Sequence, residues 1–213
     1  MYSIYIMTKQ IDYQKMANDD INASAGNLNV HDHLKDLSIP ELRQLCDEDR
    51  LPFGVCVLNV TGELNVGTIV RNALLTGAER VAVLGRRKYD KRGTVGSENY
   101  INVDRIDALE DDGVTIEADV FWDWIAKHNY TPVFCELGGT PLNEFDWHEV
   151  RARADDEICL VFGNENRGIQ ENILNDPRGS IVSIPQRGVI RSFNVGSASA
   201  IVMYSMLQGI EWL

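Results

Sequence analysis

The chain has 213 residues, 44% of them hydrophobic, with 20 lysines and arginines against 32 aspartates and glutamates for a net charge of -12. That length and apolar content suit one globular domain with a small appendage, able to bury a core without disulfide or metal staples. The acidic balance excludes a generally basic nucleic-acid coat and leaves only a local patch for that purpose, while the lack of a signal peptide or long apolar span predicts a soluble, cytoplasmic protein with no membrane partner.

The first thirty or so residues are polar and aperiodic, a loose arm by composition. Ser38-Ile39-Pro40-Glu41 has the form of a capping box with proline in the first turn. It predicts a short helix through about Cys46. Residues 1–50 are therefore set apart as an N-terminal arm and short helix, and 51–213 as the main domain.

From residue 54 strands and helices alternate. Val55 to Val60 is an apolar, β-branched run, the composition of a buried strand. Residues 65 to 77 carry helical spacing at Val66, Ile69, Val70, Ala73 and Leu74 and end on Gly77. Arg80 to Leu84 is the next strand. A basic run follows, Arg86-Arg87-Lys88-Tyr89-Asp90-Lys91-Arg92, closing on Gly93 to Ser97. A helix near 119 to 128 precedes a strand from Thr131 to Leu137. Ile158 to Phe162 and Ile181 to Ile184 are two more strands, and a last helix runs from about Val195 to Gln208. This alternation predicts an α/β fold, a mainly parallel sheet with helices on both faces.

Three motifs mix glycine with polar side chains, each just past a predicted strand. They are Asn65-Val66-Gly67-Thr68-Ile69-Val70-Arg71, Gly163-Asn164-Glu165-Asn166-Arg167-Gly168, and the segment from Ile184 through Arg191-Ser192-Phe193-Asn194-Val195. Binding sites of open parallel sheets lie beyond the carboxyl ends of the strands, so the three converge on one site. No cluster has metal-ligand spacing, and the four cysteines form no Cys-x-x-Cys pair, so free thiols and no metal are expected.

Over roughly residues 54 to 210 these motifs resemble the SpoU (TrmH-like) branch of the SPOUT RNA methyltransferases. The resemblance implies a parallel sheet whose C-terminal segment forms a deep trefoil knot, and a homodimer whose subunits help complete each other's sites. It implies S-adenosylmethionine as cofactor and a ribose 2′-hydroxyl of tRNA or rRNA as methyl acceptor. In the family the arginine at the position of Arg71 activates that hydroxyl. A guanidinium suits phosphate binding or stabilisation of a developing alkoxide better than proton abstraction. Asn65 either caps its helix or holds Arg71 or the substrate. Glu165 binds a ribose hydroxyl, orients an arginine, or serves as a helix N-terminal acid. Ser192 and Asn194 orient substrate or cofactor, or act as caps. By motif alignment, Leu137, Ile184 and Phe193 line an adenine pocket with Ser192, and Gly163 lets the backbone approach the cofactor. The segment Tyr89 to Tyr100 has the look of the family's mobile substrate loop, and Arg86, Arg87, Lys88, Lys91 and Arg92 are expected to contact RNA phosphates beside the site, as is Arg167. Gly196 and Ser197 stand where the family more often has serine and valine.

Two alternatives share the fold: a SPOUT base methyltransferase, disfavoured by the Asn-x-Gly-x-x-x-Arg pattern, and a non-catalytic RNA-binding module, which would have lost Arg71. A dinucleotide-binding enzyme is unsupported, because no Gly-x-Gly-x-x-Gly follows the first strand.

Overall fold

A computed structural model describes residues 29–85, 89–153 and 157–212. The expected arm over 1–28 and the basic residues Arg86, Arg87 and Lys88 lie outside the described residues. Helix α1, Ile39–Glu48, opens as the capping sequence predicts. The Glu41 carboxylate folds back to accept the Ser38 N–H at 2.8 Å and its hydroxyl at 2.6 Å. The helix runs two residues past its expected end.

Among the described residues six strands form one sheet: β1 Leu51–Leu58, β2 Ala78–Leu84, β3 Asn102–Ile106, β4 Tyr130–Pro141, β5 Glu157–Phe162 and β6 Ser180–Ser183. Their order is β3-β2-β1-β5-β4-β6, and every pairing is parallel. The strands are joined by helices, α2 Glu63–Leu75, α3 Lys91–Thr94, α4 Ala118–Lys127, α5 Trp147–Arg153 and α6 Glu171–Leu174, and α7 Val195–Gly209 ends the fold. Parallel neighbours require such crossovers.

Because side chains alternate along a strand, the sheet has two apolar faces. Phe53, Val55 and Val57 of β1 meet Val66, Ile69 and Val70 of α2 and Val202, Met203 and Met206 of α7 on one face. Cys56 and Leu58 point the other way, into Phe121, Trp124 and Ile125 of α4 and Ile173 of α6. Strand β3 was not expected. It is an edge strand carrying Asn102, Asp104 and Arg105, and none of its residues is buried, so its sequence lacks the apolar run of an inner strand. Among the described residues no helix is long and apolar enough to cross a membrane.

The segment from Tyr89 to Tyr100, expected as a mobile substrate loop, instead holds α3 and a 3-10 turn at Ser97–Asn99. Thr94, Ser97 and Tyr100 are buried, while Lys91, Arg92, Val95 and Asn99 are exposed. Two glycines allow this packing. A Cβ on Gly67 would lie 2.7 Å from the Asp90 carbonyl oxygen and 2.9 Å from Gly93 Cα. These are backbone atoms that cannot swing aside. Alanine usually stabilises a helix interior relative to glycine by about 0.5–1 kcal/mol. Gly67→Ala is expected to reverse that sign and cost about 1–3 kcal/mol through overpacking, read as a lower urea midpoint; a stability gain would show that α3 yields freely.

Candidate active site

Phe162 at the carboxyl end of β5 pairs with Val57 of β1 on one side and Cys135 of β4 on the other. The chain leaving β4, β5 and β6 therefore surrounds one hollow, closed on its fourth side by the start of α7. It is a cleft of about 540 Å³, within the usual range for small-molecule sites. Leu137, Ile184 and Phe193 supply apolar surface to it, as their motif positions imply, and Gly163, Glu165, Arg167, Ser192 and Asn194 also line it. Leu137 and Phe193 are 52% and 46% exposed, apolar surface left open toward the cleft.

One hydrogen-bonded unit ties the three motifs together. Helix α2 starts two residues earlier than its apolar spacing suggests, with Gly62 as N-cap. This moves Asn65 into the first turn, so it is not the cap. The N–H groups at this end are received by Glu165 from the turn after β5. Glu165 Oε2 accepts from Thr61 N at 2.9 Å and Thr61 Oγ1 at 3.1 Å, and Oε1 from Gly62 N and Asn65 Nδ2, both at 2.9 Å. Asn65 Oδ1 in turn accepts from Asn194 Nδ2 at 2.9 Å. Asn194 caps α7, its Oδ1 accepting from Gly196 N at 3.0 Å and Ser197 N at 3.3 Å.

Burial pushes the Glu165 carboxyl up, but the hydrogen bonds from Asn65, Thr61 and Gly62 outweigh it and hold the pKa at about 2. A carboxylate has about four acceptor positions, and four donors fill those of Glu165. It is thus an ionised brace at the positive end of α2, without spare capacity for a ribose hydroxyl or a proton at neutral pH. Asn194 is likewise engaged in capping and bracing. Ser192 has no such engagement among the described residues and remains exposed in the cleft.

The turn after β5 is closed on itself. Asn164 and Gly168 exchange backbone hydrogen bonds of 3.1 and 2.8 Å, and Asn164 Nδ2 reaches the Asn59 carbonyl at 2.6 Å. A Cβ on Gly163 would stand 2.4 Å from the Gly168 carbonyl carbon. The small size of Gly163 serves the turn itself, and Gly163 also lines the cleft. Gly168 has φ +69°, in the left-handed region, and a side chain there would strike Glu136. Glu136 lines the cleft and carries no motif, and sequence reasoning missed it. Its one signal is an acid ending an apolar strand just before Leu137-Gly138-Gly139.

Arg71 is not brought into this cleft. Six residues beyond Asn65, it lies about 240° around α2 and roughly 9 Å along its axis. It is exposed, lines a second hollow with Leu74, Leu75, Thr94 and Tyr100, and has no hydrogen-bond partner among the described residues. Lys91 and Arg92 sit on α3, Arg92 paired with Asp90 at 2.6 Å. Arg167 projects from the motif-two turn at the cleft itself.

An open parallel sheet with a cleft at its carboxyl edge, rimmed by three such motifs, defines an α/β fold of the class whose ligand sites lie at that edge. The SpoU rRNA Methylase family profile matches residues 52–204, and the chain belongs to that family. It is 26% identical over 157 residues to a tRNA (guanosine(18)-2′-O)-methyltransferase of Borreliella burgdorferi, covering 69% of this chain and 62% of that one. The chain thus spans less than two thirds of that relative's length. A TrmH/SpoU tRNA modifying enzyme of A. aeolicus superposes with TM-score 0.62 at 20% identity, covering 82% of this chain and 83% of that one. An AdoMet-bound rRNA methyltransferase of Sinorhizobium meliloti gives 0.60 at 22% identity, covering 78% and 59%. These two likenesses show the fold.

The brace has a pH signature. Its folded carboxyl titrates near 2 and its ordinary value is 4.5, so the stability it contributes is complete above about 4.5 and is lost as pH falls towards 2. Glu165→Gln turns an amide NH2 toward N–H donors. It is expected to cost about 1–3 kcal/mol at pH 7, with the gap to the parent narrowing from pH 4.5 downward in urea titrations. A gap independent of pH would deny the ionised brace.

Proposed function

We propose that this protein transfers a methyl group from S-adenosylmethionine to a ribose 2′-hydroxyl of tRNA or rRNA, in the cytoplasm, with residues 51–213 as the methyltransferase domain. The observation that carries the reading is the Glu165–Asn65–Asn194 unit, which joins the three family motifs at the rim of one cleft. The relative from Borreliella burgdorferi is named for 2′-O-methylation of a tRNA guanosine, and the AdoMet-bound neighbour is an rRNA methyltransferase of the same fold.

The residues of the cleft fit the cofactor. The half-exposed Leu137 and Phe193 and the half-buried Ile184 give adenine an apolar bed, and Ser192 supplies a hydroxyl beside it. When bound, S-adenosylmethionine supplies a methyl group activated by its positively charged sulfur and leaves as S-adenosylhomocysteine. The protein's remaining tasks are to orient the 2′-hydroxyl and to stabilise its oxygen as the O–H bond breaks and the proton passes to solvent. Glu165 and Asn194 perform neither directly. They hold the motif-two turn and the α7 start in register, so that Ser192 and Phe193 keep their places. Arg71 is the group with the charge for the second task.

Since Arg71 faces away from its own cleft, we place it in the cleft of a second copy. Leu64, Leu75 and Tyr204, on α2 and α7, are each more than half exposed, a surface suited to an isologous dimer. In that dimer the C-terminal knot that the family implies would lie at the centre, and Arg167 beside each cleft would meet RNA phosphate.

Labelled methyl from S-adenosylmethionine should enter mixed tRNA and rRNA as a 2′-O-methylnucleoside; a methylated base would overturn the ribose reading. Arg71→Ala is expected to lower incorporation by about 10²–10³ without loss of folding. Mixing Arg71→Ala subunits with inactive Ser192→Ala/Phe193→Ala subunits should restore roughly a quarter of parental activity, since half the dimers then carry one intact site. No recovery would place Arg71 in its own subunit's site.

A further inference from the structure

Two carboxylates line the cleft, and their hydrogen bonding divides them. Glu165 is saturated by four donors. Glu136, at the carboxyl edge of the sheet one residue beyond Cys135, accepts only the Leu137 N–H on Oε1, at 2.9 Å, and the Ile169 N–H on Oε2, at 2.8 Å. Among the described residues neither oxygen has a cationic partner. About half of its acceptor capacity is therefore unused, in a carboxylate held on both oxygens by backbone N–H groups. Its setting is also built. Gly168 takes a left-handed conformation beside it, and even a methyl group there would lie 2.3 Å from Glu136 Oε2.

We propose that Glu136 receives the ribose hydroxyls of the bound cofactor's adenosine. This deepens the proposed function and rests on its cofactor reading. A vicinal diol offers two O–H donors and needs acceptors, and an ionised carboxylate is the strongest acceptor a side chain provides. The apolar residues near it fit the neighbouring base. Leu137 follows Glu136 directly, and Ile184 and Phe193 line the same cleft. Adenine on that apolar surface would carry its ribose toward Glu136, one residue past the last β4 residue paired with β5. The other cleft carboxylate, Glu165, has no acceptor position left for the diol. The two N–H bonds also fix the Glu136 rotamer before the ligand arrives, so little side-chain entropy is lost on binding.

The alternative is that Glu136 only pins the motif-two turn through Ile169, and a ligand–protein cycle separates the two. Binding of S-adenosylhomocysteine and of its 2′-deoxy and 3′-deoxy adenosine counterparts would be measured by calorimetry, with no catalysis involved. On the parent, loss of one recognised hydroxyl is expected to weaken binding about tenfold, the usual scale for a hydrogen bond to a charged group. On Glu136→Gln, S-adenosylhomocysteine should bind about tenfold more weakly, and the deoxy ligands should lose little more. Equal losses for all three ligands, or an undiminished deoxy penalty in the variant, would overturn the proposal and leave Glu136 as a turn anchor. Thermal melting of Glu136→Gln, with Glu136→Asp as a second variant that keeps the charge but shortens the reach, guards against a folding defect. A parent that binds no S-adenosylhomocysteine would overturn this proposal together with the cofactor reading, whereas parent binding without coupling overturns this proposal alone.

Discussion

The site depends on one ionised side chain. Thr61 and Glu165 are 104 residues apart in sequence, and Asn65 and Asn194 are 129 apart, yet the three motif segments meet through the Glu165 carboxylate and the two amides chained to it. The parallel sheet delivers these segments to one edge but does not orient them; loops leaving strand ends keep their own conformational freedom. Glu165 removes it by a favourable exchange. The N-terminus of α2 presents N–H groups that need acceptors, and the motif-two turn supplies a charged one. The same helix then offers Asn65 to the cap of α7. The two flanking helices are fixed against each other further along as well, where Asn72 Nδ2 donates to the Gly196 carbonyl and to Ser199 Oγ, both at 2.9 Å.

This arrangement explains which parts of the molecule the sequence discloses. The inner strands are legible because burial on both faces demands continuous apolar runs, as in Val55 to Leu58 and Ile158 to Phe162. Strand β3 is not, since an edge strand with exposed polar residues carries no such run. The short helices α5 and α6 also escape notice, being too brief to show a period. The start of α2 is misjudged by two residues because its N-terminal N–H groups are satisfied by an acid more than a hundred residues away, which no local capping signal can announce. Asn65 therefore looks like a cap in sequence and is a cross-link in structure. Motif membership likewise identifies Arg71 but not its direction, which follows from helical rotation, and it overlooks Glu136, whose partners Ile169 and Leu137 contribute only backbone.

A chain of net charge -12 that meets RNA must concentrate its positive charge. Field strength at a surface depends on local arrangement more than on the total. Arg167 and Arg191 line the cleft, and Arg187 is exposed on the segment between β6 and Arg191. Val189 and Ile190 on that segment are among the most exposed apolar residues of the fold. Cations around the cleft would hold a phosphate backbone there, while the acidic remainder of the surface would repel it elsewhere. On the proposed reading the negative total would then sharpen registration of an RNA on one edge instead of opposing its binding.

The carboxylates within the cleft bear on the same balance. A sulfonium cofactor brings positive charge that is lost as the methyl moves, so a strongly negative site would favour the ground state over the transition state. Glu165 avoids this cost because its charge is already spent on Thr61, Gly62 and Asn65 and faces the positive end of a helix. Glu136 is only half neutralised by its two N–H donors, but on the reading above it lies at the ribose, away from the reacting sulfur. The two acids can then share one cleft without trapping the cofactor: one orders the protein, the other selects the ligand, and neither stabilises the sulfonium at the point where its charge must disappear.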